Sequence, residues 1–420
     1  MSAPASGRLR VLHLSHDLGA NDFVDHVVSF ADRERFELSV CSLRPESAYP
    51  DARYEERGFR HWVFDAPSRR HFPALLPRLS ALLRTERINV LHTHHYYEGI
   101  LGALLKLHTG VRHVLGRHYS DDHRRLARGL KLRGLLALEA FSNRVADVIV
   151  APSLRVAEVL RAQGVPAEHV TRIPYGFDFE AERFRRLTAE ERADGRAELG
   201  MEGRFVFANV GRHIATKGQP ELLEAFARAA AAFPDAHLLF IGDGALRPSL
   251  ETRVAELGLA DRVTFAGWRR DGVRLVQLAD AVVHPTHTEA FSQVMVEAMA
   301  LARPLVMTPV SGTDEVIRSG ETGLLVPIGD VDALTQALVR LLGDRDFARA
   351  LGERAARFVR AQLDIRRIVP RFEALYERVA GRAPAGPSSV PVPGTVAAQA
   401  PSAPAGAGAL ARSPGPKGDR

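Results

Sequence analysis

Two pairs of charged residues in the second half of the chain have the types and spacing of a binding site. Arg212 and Lys217 lie in a loop bounded by glycines, and Glu289 and Glu297 enclose a run of seven residues. Two cations can hold a diphosphate and stabilise the negative charge that grows on it as it leaves. Carboxylates accept hydrogen bonds from sugar hydroxyls, so together these side chains predict a site for a nucleotide-diphosphate sugar. Alone, each pair is better explained as a solvated turn or helix surface.

The elements around these residues would bring them to one edge of a sheet. Arg212 follows a predicted strand at 205–210, in a loop that lacks the Gly-x4-Gly-Lys-Ser/Thr order of a P-loop. Helical composition from residue 293 to 302 places three residues at a helix start, where unpaired N–H groups and the helix dipole attract anions: Phe291, Ser292 and Gln293. Gly242 and Gly244 end the next strand, where they either admit a ligand close to the backbone or form a tight turn.

Short β-rich runs alternate with helical patterns through most of the chain. Strands separated by helices form parallel sheets covered on both faces, so we predict an α/β protein with two doubly wound, Rossmann-like domains facing each other across a cleft. The predicted strands are 9–14, 37–42, 90–94, 111–116, 147–151, 205–210, 238–241, 263–265, 281–284, 304–307 and 323–326. The predicted divisions are a flexible leader (1–7), an N-terminal acceptor-side domain (8–178), a linker (179–203), a C-terminal nucleotide-sugar-binding domain (204–364), a closing helix (365–382) and a disordered tail rich in Pro, Ala, Gly and Ser (383–420).

Composition narrows the partners and the compartment. The 420 residues carry a formal charge of +6, but the basic residues are scattered and nearly all Arg, so we expect no nucleic-acid partner. The single cysteine, Cys41, cannot form an internal disulfide and is expected to pack in a strand, which fits a reducing compartment. No apolar run approaches about 20 residues, and the N-terminus lacks the order of a signal peptide. Cytoplasmic residence is therefore the expectation.

Six motifs in the second half of the chain, taken in order, resemble those of the large retaining glycosyltransferase family 4. They are Gly211-Arg212 with Lys217-Gly218, Ile241-Gly242-Asp243-Gly244, Phe265-Ala266-Gly267-Trp268, Pro285-Thr286 with Glu289-Ala290-Phe291-Ser292, Val296-Glu297-Ala298-Met299-Ala300 and Gly323-Leu324-Leu325-Val326. The resemblance implies the GT-B fold and UDP- or GDP-linked sugar donors. It also implies retention of anomeric configuration and no need for a metal ion or another cofactor.

The same resemblance implies roles for individual residues. Arg212 and Lys217 would hold the diphosphate, Glu297 the ribose, and Glu289 the donor sugar together with the amides of 291–293. The other donor-binding residues that the motifs imply are Gly242, Gly244, Trp268, Phe291, Ser292 and Gln293. The family commonly has Gly where this chain has Ala290 and Ser292, so side chains at these two positions would narrow the sugar pocket.

The first half of the chain resembles the family more loosely. Residues 147–153 resemble its Asp-to-Ser strand segment, and residues 173–178 resemble its hinge-side turn, with Tyr175 where Asn is usual. Gly19 lies where the family has a glycine pair near the donor phosphates, although this chain supplies only one of the two glycines. His118 occupies the position of the family's cleft histidine, which approaches the donor sugar. The alternative for His118 is that it caps a strand.

Two patterns suggest a metal ion, but neither is expected to bind one. His92, His94 and His95 lie together at a predicted strand end, yet no second ligand group has metal-site spacing. Asp330-Val331-Asp332 is similar to the Asp-x-Asp metal motif of the other large glycosyltransferase fold. It precedes a helical run, so Asp330 is predicted to be an N-cap.

Basic and apolar residues are mixed between residues 124 and 136. The pattern fits either a helix that rests on an anionic membrane or a solvated helix beside the acceptor cleft, and we favour the second. The basic residues are Arg124, Arg125, Arg128, Lys131 and Arg133, among Leu126, Leu130, Leu132, Leu135 and Leu136.

The resemblance, added to these patterns, implies a metal-independent retaining glycosyltransferase whose catalytic residues are His118, Arg212, Lys217 and Glu289. Domain closure would bring Gly19 and His118 onto the donor and exclude water that would hydrolyse it. The expected acceptor is a polysaccharide, a glycolipid or a small molecule, in the cytoplasm or at the inner face of the membrane. The alternatives are a sugar-nucleotide epimerase or phosphorylase-like enzyme of the same fold, and a catalytically silent binding or scaffold protein.

Overall fold

A seven-stranded parallel sheet organises the first half of the chain. The computed structural model describes residues 7–16, 22–44, 52–119 and 128–383, and this sheet has the order β3-β2-β1-β4-β5-β6-β7. Its strands are β1 (Leu9–Ser15), β2 (Phe36–Ser42), β3 (Arg60–Val63), β4 (Val90–His94), β5 (Arg112–Gly116), β6 (Val148–Ala151) and β7 (Val170–Arg172). The helices are α1 (Asp22–Phe30), α2 (Ala52–Glu56), α3 (Leu76–Thr85), α4 (Tyr96–Thr109), α5 (Gly129–Val145) and α6 (Leu154–Ala162), with 3₁₀ turns at Arg69–Leu75 and Ala167–His169.

A six-stranded parallel sheet organises the second half, in the order β10-β9-β8-β11-β12-β13. Its strands are β8 (Phe205–Val210), β9 (Ala236–Ile241), β10 (Val263–Gly267), β11 (Ala281–His284), β12 (Leu305–Met307) and β13 (Leu324–Leu325). The helices are α7 (Ala189–Glu198), α8 (Gln219–Ala232), α9 (Arg247–Glu256), α10 (Gly272–Leu278), α11 (Gln293–Ala300), α12 (Thr313–Val316), α13 (Val331–Gly343), α14 (Arg345–Leu363) and α15 (Ile365–Val379). Three further 3₁₀ turns are Glu182–Phe184, Ala215–Lys217 and Ala260–Arg262.

Burial explains why the central strands could be recognised and two edge strands could not. Every residue of β6 and of β9 is buried, as expected for parallel strands covered by helices on both faces. In contrast, β3 and β7 lie at the two edges of the first sheet and have no fully buried residue. Both were missing from the predicted strands because neither shows a buried apolar run. The predicted fold class, two doubly wound α/β domains, is confirmed.

The last helix returns to the first domain. The amide of Phe177 donates to the carbonyl of Leu363 at 2.9 Å, and the amide of Ile365 donates to the carbonyl of Phe177 at 3.0 Å, so the two segments that cross between the domains are paired. Beyond this point α15 packs on α1 and buries Phe372 and Tyr376 in the core of the first domain. Tyr376 on the last helix thereby reaches His13 on β1, the first strand of the chain.

No helix within the described ranges combines the length and the apolar composition that crossing a membrane requires. Cys41 is buried in β2, as predicted. Several features of the sequence lie outside the described residues: Gly19, Arg124, Arg125, Leu126, residues 1–6 of the leader and residues 384–420 of the tail.

Candidate active site

The loops that follow β8 and β11 lie side by side at the carboxyl edge of the second sheet. The amide of His287, in the second loop, donates to the carbonyl of Thr216, in the first, at 2.8 Å. Gly218 has a φ of 70°, and a Cβ added there would lie 2.1 Å from the carbonyl oxygen of Pro285. Only glycine fits such a close approach in this conformation. Gly218 therefore fixes the separation of the two loops and of the charged residues that they carry.

Lys217, His284 and Glu289 form a group that we call the ionic cluster. The Lys217 ammonium and Nε2 of His284 both contact Oε1 of Glu289, the imidazole at 3.2 Å. Burial by itself would raise the pKa of the Glu289 carboxyl, but the hydrogen bond to His284 and the charge of Lys217 outweigh it and hold that pKa below its ordinary value. Glu289 is therefore ionised at neutral pH although its side chain is only 20% exposed.

Arg212 lies in the same loop as Lys217 and is exposed. Its carbonyl accepts a 3.0 Å hydrogen bond from Nε2 of the buried Gln219. Within the described part of the chain, no hydrogen bond or ion pair engages its guanidinium. On the other side of the loop, Gly242 has a φ of 135°, and a Cβ added there would lie 2.0 Å from the carbonyl oxygen of Gly211. The close approach at Gly242 is thus to the protein's own backbone, which holds the Arg212 loop in place.

Helix α11 begins four residues after Glu289. Ser292 is its N-cap, and the Ser292 hydroxyl accepts a 3.2 Å hydrogen bond from the amide of Met295. Gln293 is exposed in the first turn, and Glu297 is half-buried in the second. The positive end of the helix dipole therefore lies close in sequence to the ionic cluster. The side chain of Ser292 is used for capping, whereas the side chain of Gln293 is accessible.

Six side chains of the first domain and α15 form a continuous set of hydrogen bonds that we call the histidine network. It runs in the order His92, Tyr376, His13, His94, His118 and Tyr175. Its separations are 2.8 Å from His92 Nδ1 to Tyr376 Oη, 3.3 Å from Tyr376 Oη to His13 Nε2, 3.0 Å from His13 Nδ1 to His94 Nε2, 2.9 Å from His94 Nδ1 to His118 Nε2 and 2.7 Å from His118 Nδ1 to Tyr175 Oη. Both ring nitrogens of His118 are thus engaged within the protein.

The histidine network carries no charge at neutral pH. Burial lowers the pKa of His13 to about 3 and that of His118 to about 4, and it lowers the pKa values of His92 and His94 well below the ordinary value. At the outer end, burial and then the Glu289 carboxylate raise the pKa of Tyr175. The Tyr175 ring also packs against that of Phe291, two residues after Glu289, with centroids 5.5 Å apart, so the histidine network ends close to the ionic cluster.

His13, which the sequence did not single out, joins His92 and His94 in a group that could hold a metal ion. The three residues are buried, and their ligand atoms lie within 4.8 Å of one another. Two nitrogens bound to one tetrahedral Zn²⁺ at 2.0–2.1 Å stand about 3.4 Å apart. The 3.0 Å between His13 and His94 and the 2.9 Å between His94 and His118 are instead the separations of hydrogen bonds.

His95 marks the same edge of the first sheet. It has a φ of 73°, which is rare for a residue other than glycine, and its ring centroid lies 5.0 Å from that of His118. Non-glycine residues held in this region of φ concentrate at functional sites. The strained backbone therefore adds a geometric indication that the carboxyl edge of β4 and β5 is a functional surface.

The two domains contact each other directly around the candidate site. The rings of Tyr175 and Phe291 pack edge to face with centroids 5.5 Å apart. At the rim, the hydroxyls of Ser153 and Ser311 are 2.8 Å apart, and Glu315 pairs with Arg172 across the cleft. A cavity of about 260 Å³ lies between α6 and the loops of the second domain, and Glu289 lines it. The ionic cluster therefore opens towards the space between the domains.

Comparisons with known proteins assign the family. The protein family described as "Glycosyl transferases group 1" matches residues 191–358, and the family described as "Glycosyltransferase Family 4" matches residues 19–181. D-inositol 3-phosphate glycosyltransferase of Mycobacterium sp. (strain KMS) is 30% identical over 305 residues, which make up 68% of this chain and 67% of that protein. The chain belongs to glycosyltransferase family 4. The resemblance seen in the sequence motifs is thereby confirmed.

Two further proteins are similar to this family 4 glycosyltransferase over most of its length. N-acetyl-alpha-D-glucosaminyl L-malate synthase of Bacillus anthracis is 27% identical over 345 residues, 81% of this chain and 88% of that protein. The crystal structure of Anabaena HepE in complex with UDP superimposes with a TM-score of 0.77 at 20% identity, covering 88% of this chain and all of that one. The superposition on HepE agrees with the GT-B fold that the sequence motifs implied.

The remaining predicted residues of this family 4 glycosyltransferase have varied surroundings. Trp268 follows β10 and is 68% exposed, so its indole is open to a ligand. Asp330 is an N-cap as predicted, because its carboxylate accepts a 2.8 Å hydrogen bond from the amide of Ala333. In α5, Leu130 is 83% exposed and the neighbouring Lys131 is exposed as well, so this helix presents a mixed basic and apolar surface.

Besides His13, three residues of the site were not found by sequence reasoning. His284 ends β11 five positions before Glu289, and its place at the carboxyl end of a strand was a usable signal. Tyr175 was noted only as a departure from the family's Asn. Tyr376 was not singled out, because it lies within the predicted closing helix and no motif marks it.

Proposed function

We propose that this family 4 glycosyltransferase transfers a sugar from a nucleotide-diphosphate sugar to a hydroxyl acceptor, with retention of anomeric configuration and without a metal ion. The observation that carries the proposal is the contact of Lys217 and His284 with the ionised Glu289, in loops that Gly218 holds together beside the interdomain cavity. Arg212 adds an exposed cation to the same loop. Cations and a carboxylate at one place suit a ligand with both phosphates and hydroxyls.

Arg212 and Lys217 would stabilise the leaving diphosphate. In many transferases a divalent metal neutralises this group, and here the two cations would supply the same charge. Lys217 is paired with Glu289, so donor binding would exchange that pair for a pair with phosphate. Glu289 would then keep its hydrogen bond to His284, which holds the carboxylate in place to accept hydrogen bonds from the donor sugar.

The start of α11 would complete the donor site. Backbone amides at Phe291, Ser292 and Gln293 lie at the positive end of the helix, where they suit an anion or a sugar oxygen. Glu297, one turn further, would accept two hydrogen bonds from the ribose diol. Trp268, exposed after β10, would lie against the nucleotide base.

Retention requires attack from the face that the diphosphate leaves. The bond between the anomeric carbon and the diphosphate oxygen breaks, and its electron pair goes to the diphosphate. The acceptor oxygen bonds to the same face of that carbon while its proton passes to the departing diphosphate. No protein nucleophile is needed, which suits Glu289 because its contacts with Lys217 and His284 lower its basicity.

Similar proteins favour a UDP-linked donor and a small polar acceptor. HepE has been solved with UDP and with UDP-glucose, which makes UDP the first base to test and GDP the second. The names of two relatives specify L-malate and D-inositol 3-phosphate. A small molecule with a free hydroxyl and a negative charge is therefore the acceptor class that we propose.

Contact with a membrane would instead favour a glycolipid acceptor. The exposed Leu130 beside Lys131 on α5 is the surface that such contact would use. Sedimentation with vesicles that contain anionic lipid separates the two cases. We expect the protein to stay in the supernatant at physiological salt, and co-sedimentation that is lost in Leu130→Ser would make a glycolipid the first acceptor to test.

The activity is tested by the anomeric configuration of the product. UDP- and GDP-linked α-sugars would be supplied with hydroxyl acceptors in excess EDTA, and the product followed by proton NMR. We expect an α-linked product in EDTA. Glu297→Ala should lower kcat/KM for the donor by roughly a hundredfold, as for two lost charge-assisted hydrogen bonds, while the exposed Glu353→Ala serves as the control. A β-linked product, or equal activity of both variants, would refute the assignment.

A further inference from the structure

We propose that Tyr175 donates a hydrogen bond to an oxygen of the bound sugar nucleotide, and that the histidine network fixes the direction of this bond. The inference rests on the proposed function above, because the ligand is its donor substrate. In this account His118 is a positioning residue that acts through Tyr175. It does not contact the donor by its ring nitrogens, since His94 and Tyr175 occupy both of them.

The histidine network can point in only two directions. A neutral imidazole has one N–H donor and one acceptor nitrogen, and a hydroxyl donates one hydrogen bond. If Tyr376 accepted from both of its neighbours, its own buried proton would have no acceptor, so once one bond in the series is assigned every other bond follows. Either all donors point inward, so that Tyr175 gives its proton to His118, or all donors point outward and Tyr175 keeps its proton for another partner.

The buried end of the network decides between the two directions. Nε2 of His92 is buried and has no hydrogen-bond partner among the described residues. With donors pointing inward, this atom would be an N–H group without an acceptor. With donors pointing outward, Nε2 of His92 carries no hydrogen, and only its lone pair lacks a partner. Buried N–H groups without partners are the rarer of the two defects, so the outward direction is favoured, with the proton on Nδ1 of His92, His13, His94 and His118.

Glycine at position 116 makes room for the network. Gly116 pairs with His94 across β4 and β5. A Cβ added to it would lie 2.8 Å from Nε2 of His118, 3.1 Å from Nδ1 of His94 and 3.2 Å from Nε2 of His92. Any side chain at this position would push the rings apart. The backbone of the sheet is thus compatible with the network only with glycine here.

The outer end of the network lies at the donor site. The Tyr175 ring packs against Phe291, which immediately precedes the N-cap of α11, and the field of Glu289 reaches the Tyr175 hydroxyl. Because this hydroxyl accepts from His118, its proton is directed towards a different acceptor. A sugar or phosphate oxygen held by the ionic cluster is such an acceptor. The first domain would then recognise the donor with a neutral group, whereas the second domain uses charges.

The direction of the network is tested by the tautomers of its histidines. Long-range ¹H–¹⁵N spectra of ¹⁵N-histidine-labelled protein distinguish a protonated Nδ1 from a protonated Nε2. We expect Nδ1–H at His13, His94 and His118, which is the less common tautomer of histidine in water. Nε2–H at His118 would overturn the proposal. A stoichiometric zinc ion, found by elemental analysis and needed for these spectra, would overturn it too. This measurement uses wild-type protein and needs no activity.

The contact of Tyr175 with the donor is tested by kinetics. Tyr175→Phe should lower kcat/KM for the donor by roughly tenfold, as for one lost hydrogen bond. Tyr376→Phe should lower it by roughly twofold to threefold and should mix the tautomers of His118, because it removes one link of the network. The matched control is Tyr54→Phe, a buried tyrosine of the same core cluster as Tyr376, which should leave both unchanged.

The outcomes separate this inference from the proposed function. If wild-type protein transfers sugar but Tyr175→Phe is as active as wild type, the contact is refuted and the function stands. If no nucleotide sugar supports transfer, the proposed function fails and the donor contact fails with it, whatever the tautomers are. The tautomer pattern does not depend on any variant, so a variant that fails to fold does not prevent the test.

Discussion

The two surfaces that face each other at the cleft are built from opposite physical chemistry. In the second domain, Lys217 and Glu289 are charged and lie in loops at the end of strands, where solvent and ligand can reach them. In the first domain, the histidine network is uncharged, with its inner members buried and His118 half-buried, and it meets the other domain through the half-buried Tyr175. The difference suggests a division of labour, in which charges bind the leaving group and a neutral network orients one hydroxyl.

The two surfaces also contribute different properties: the charges provide strong interactions, and the neutral network sets the direction of hydrogen bonds. A charged pair interacts strongly over several ångströms and tolerates small displacements, which suits a diphosphate. A series of neutral hydrogen bonds is short-ranged, but its members must all point the same way, so it determines which atom donates and which accepts. Removing a charge should therefore cost more activity than breaking the network.

The largest effect is expected from Glu289→Gln. The change preserves the shape of the side chain but removes the charge that pairs with Lys217 and that, in the proposed function, accepts hydrogen bonds from the sugar. We expect kcat to fall by roughly 10²- to 10³-fold, as when one fixed electrostatic contact to a transition state is lost. Steady-state kinetics measure this, with Glu224→Gln on α8 as the control. A loss below threefold would remove Glu289 from the catalytic residues.

Acid should destabilise the first domain through the histidine network. The pKa of His13 is about 3 and that of His118 about 4 in the folded protein, against about 6.5 in an unfolded chain. Between those values the unfolded state binds more protons, so the stabilisation present above pH 6.5 is lost as the pH falls towards 4. At pH 5 each such histidine would cost about 2 kcal/mol.

Melting temperatures at pH 7 and pH 5 check this expectation. The fall in melting temperature should be smaller by a few degrees in His13→Phe than in wild type, because one buried histidine no longer takes up a proton on unfolding. The exposed His108→Gln should behave like wild type. An equal fall in all three proteins would show that the network is not responsible for acid sensitivity.

The smallest effect is expected at Trp268. Since its indole is 68% exposed, it can lie against the nucleotide base but contributes little else to the site. Trp268→Leu should raise KM for the donor by roughly threefold. The chain has two tryptophans, so the fluorescence change on adding UDP should vanish in Trp268→Leu and persist in Trp62→Phe. A change that vanishes only in Trp62→Phe would place the base elsewhere.

The charged surface could be predicted from the sequence because its residues lie in short motifs. Arg212 and Lys217 share one loop, Glu289 and Glu297 flank one helix start, and the resemblance to the family's motifs joined the two pairs, of which Lys217 and Glu289 are in contact. Local chemistry likewise predicted Asp330 as an N-cap. The fold class followed from alternating strands and helices. The edge strands β3 and β7 were not predicted, because they lack a buried apolar run.

The histidine network could not be predicted, because its members come from distant parts of the chain. His13 meets His92 only because β1 and β4 are neighbours in register, and Tyr376 arrives on a helix that returns from the second domain. The closing helix was predicted, but nothing in its spacing indicated that the Tyr376 hydroxyl would have partners in the first domain. Sequence spacing reports on contacts within one element, whereas this network depends on the order of strands in the sheet.

The most direct test of the account is metal-free binding of a nucleoside diphosphate that depends on Lys217. Isothermal titration with UDP and with GDP in excess EDTA would compare wild type, Lys217→Ala and the exposed control Lys131→Ala. We predict one bound diphosphate per chain in wild type and in the control, and binding weakened by roughly one to two orders of magnitude in Lys217→Ala. Binding that requires Mg²⁺, or that is equal in all three proteins, would contradict the account.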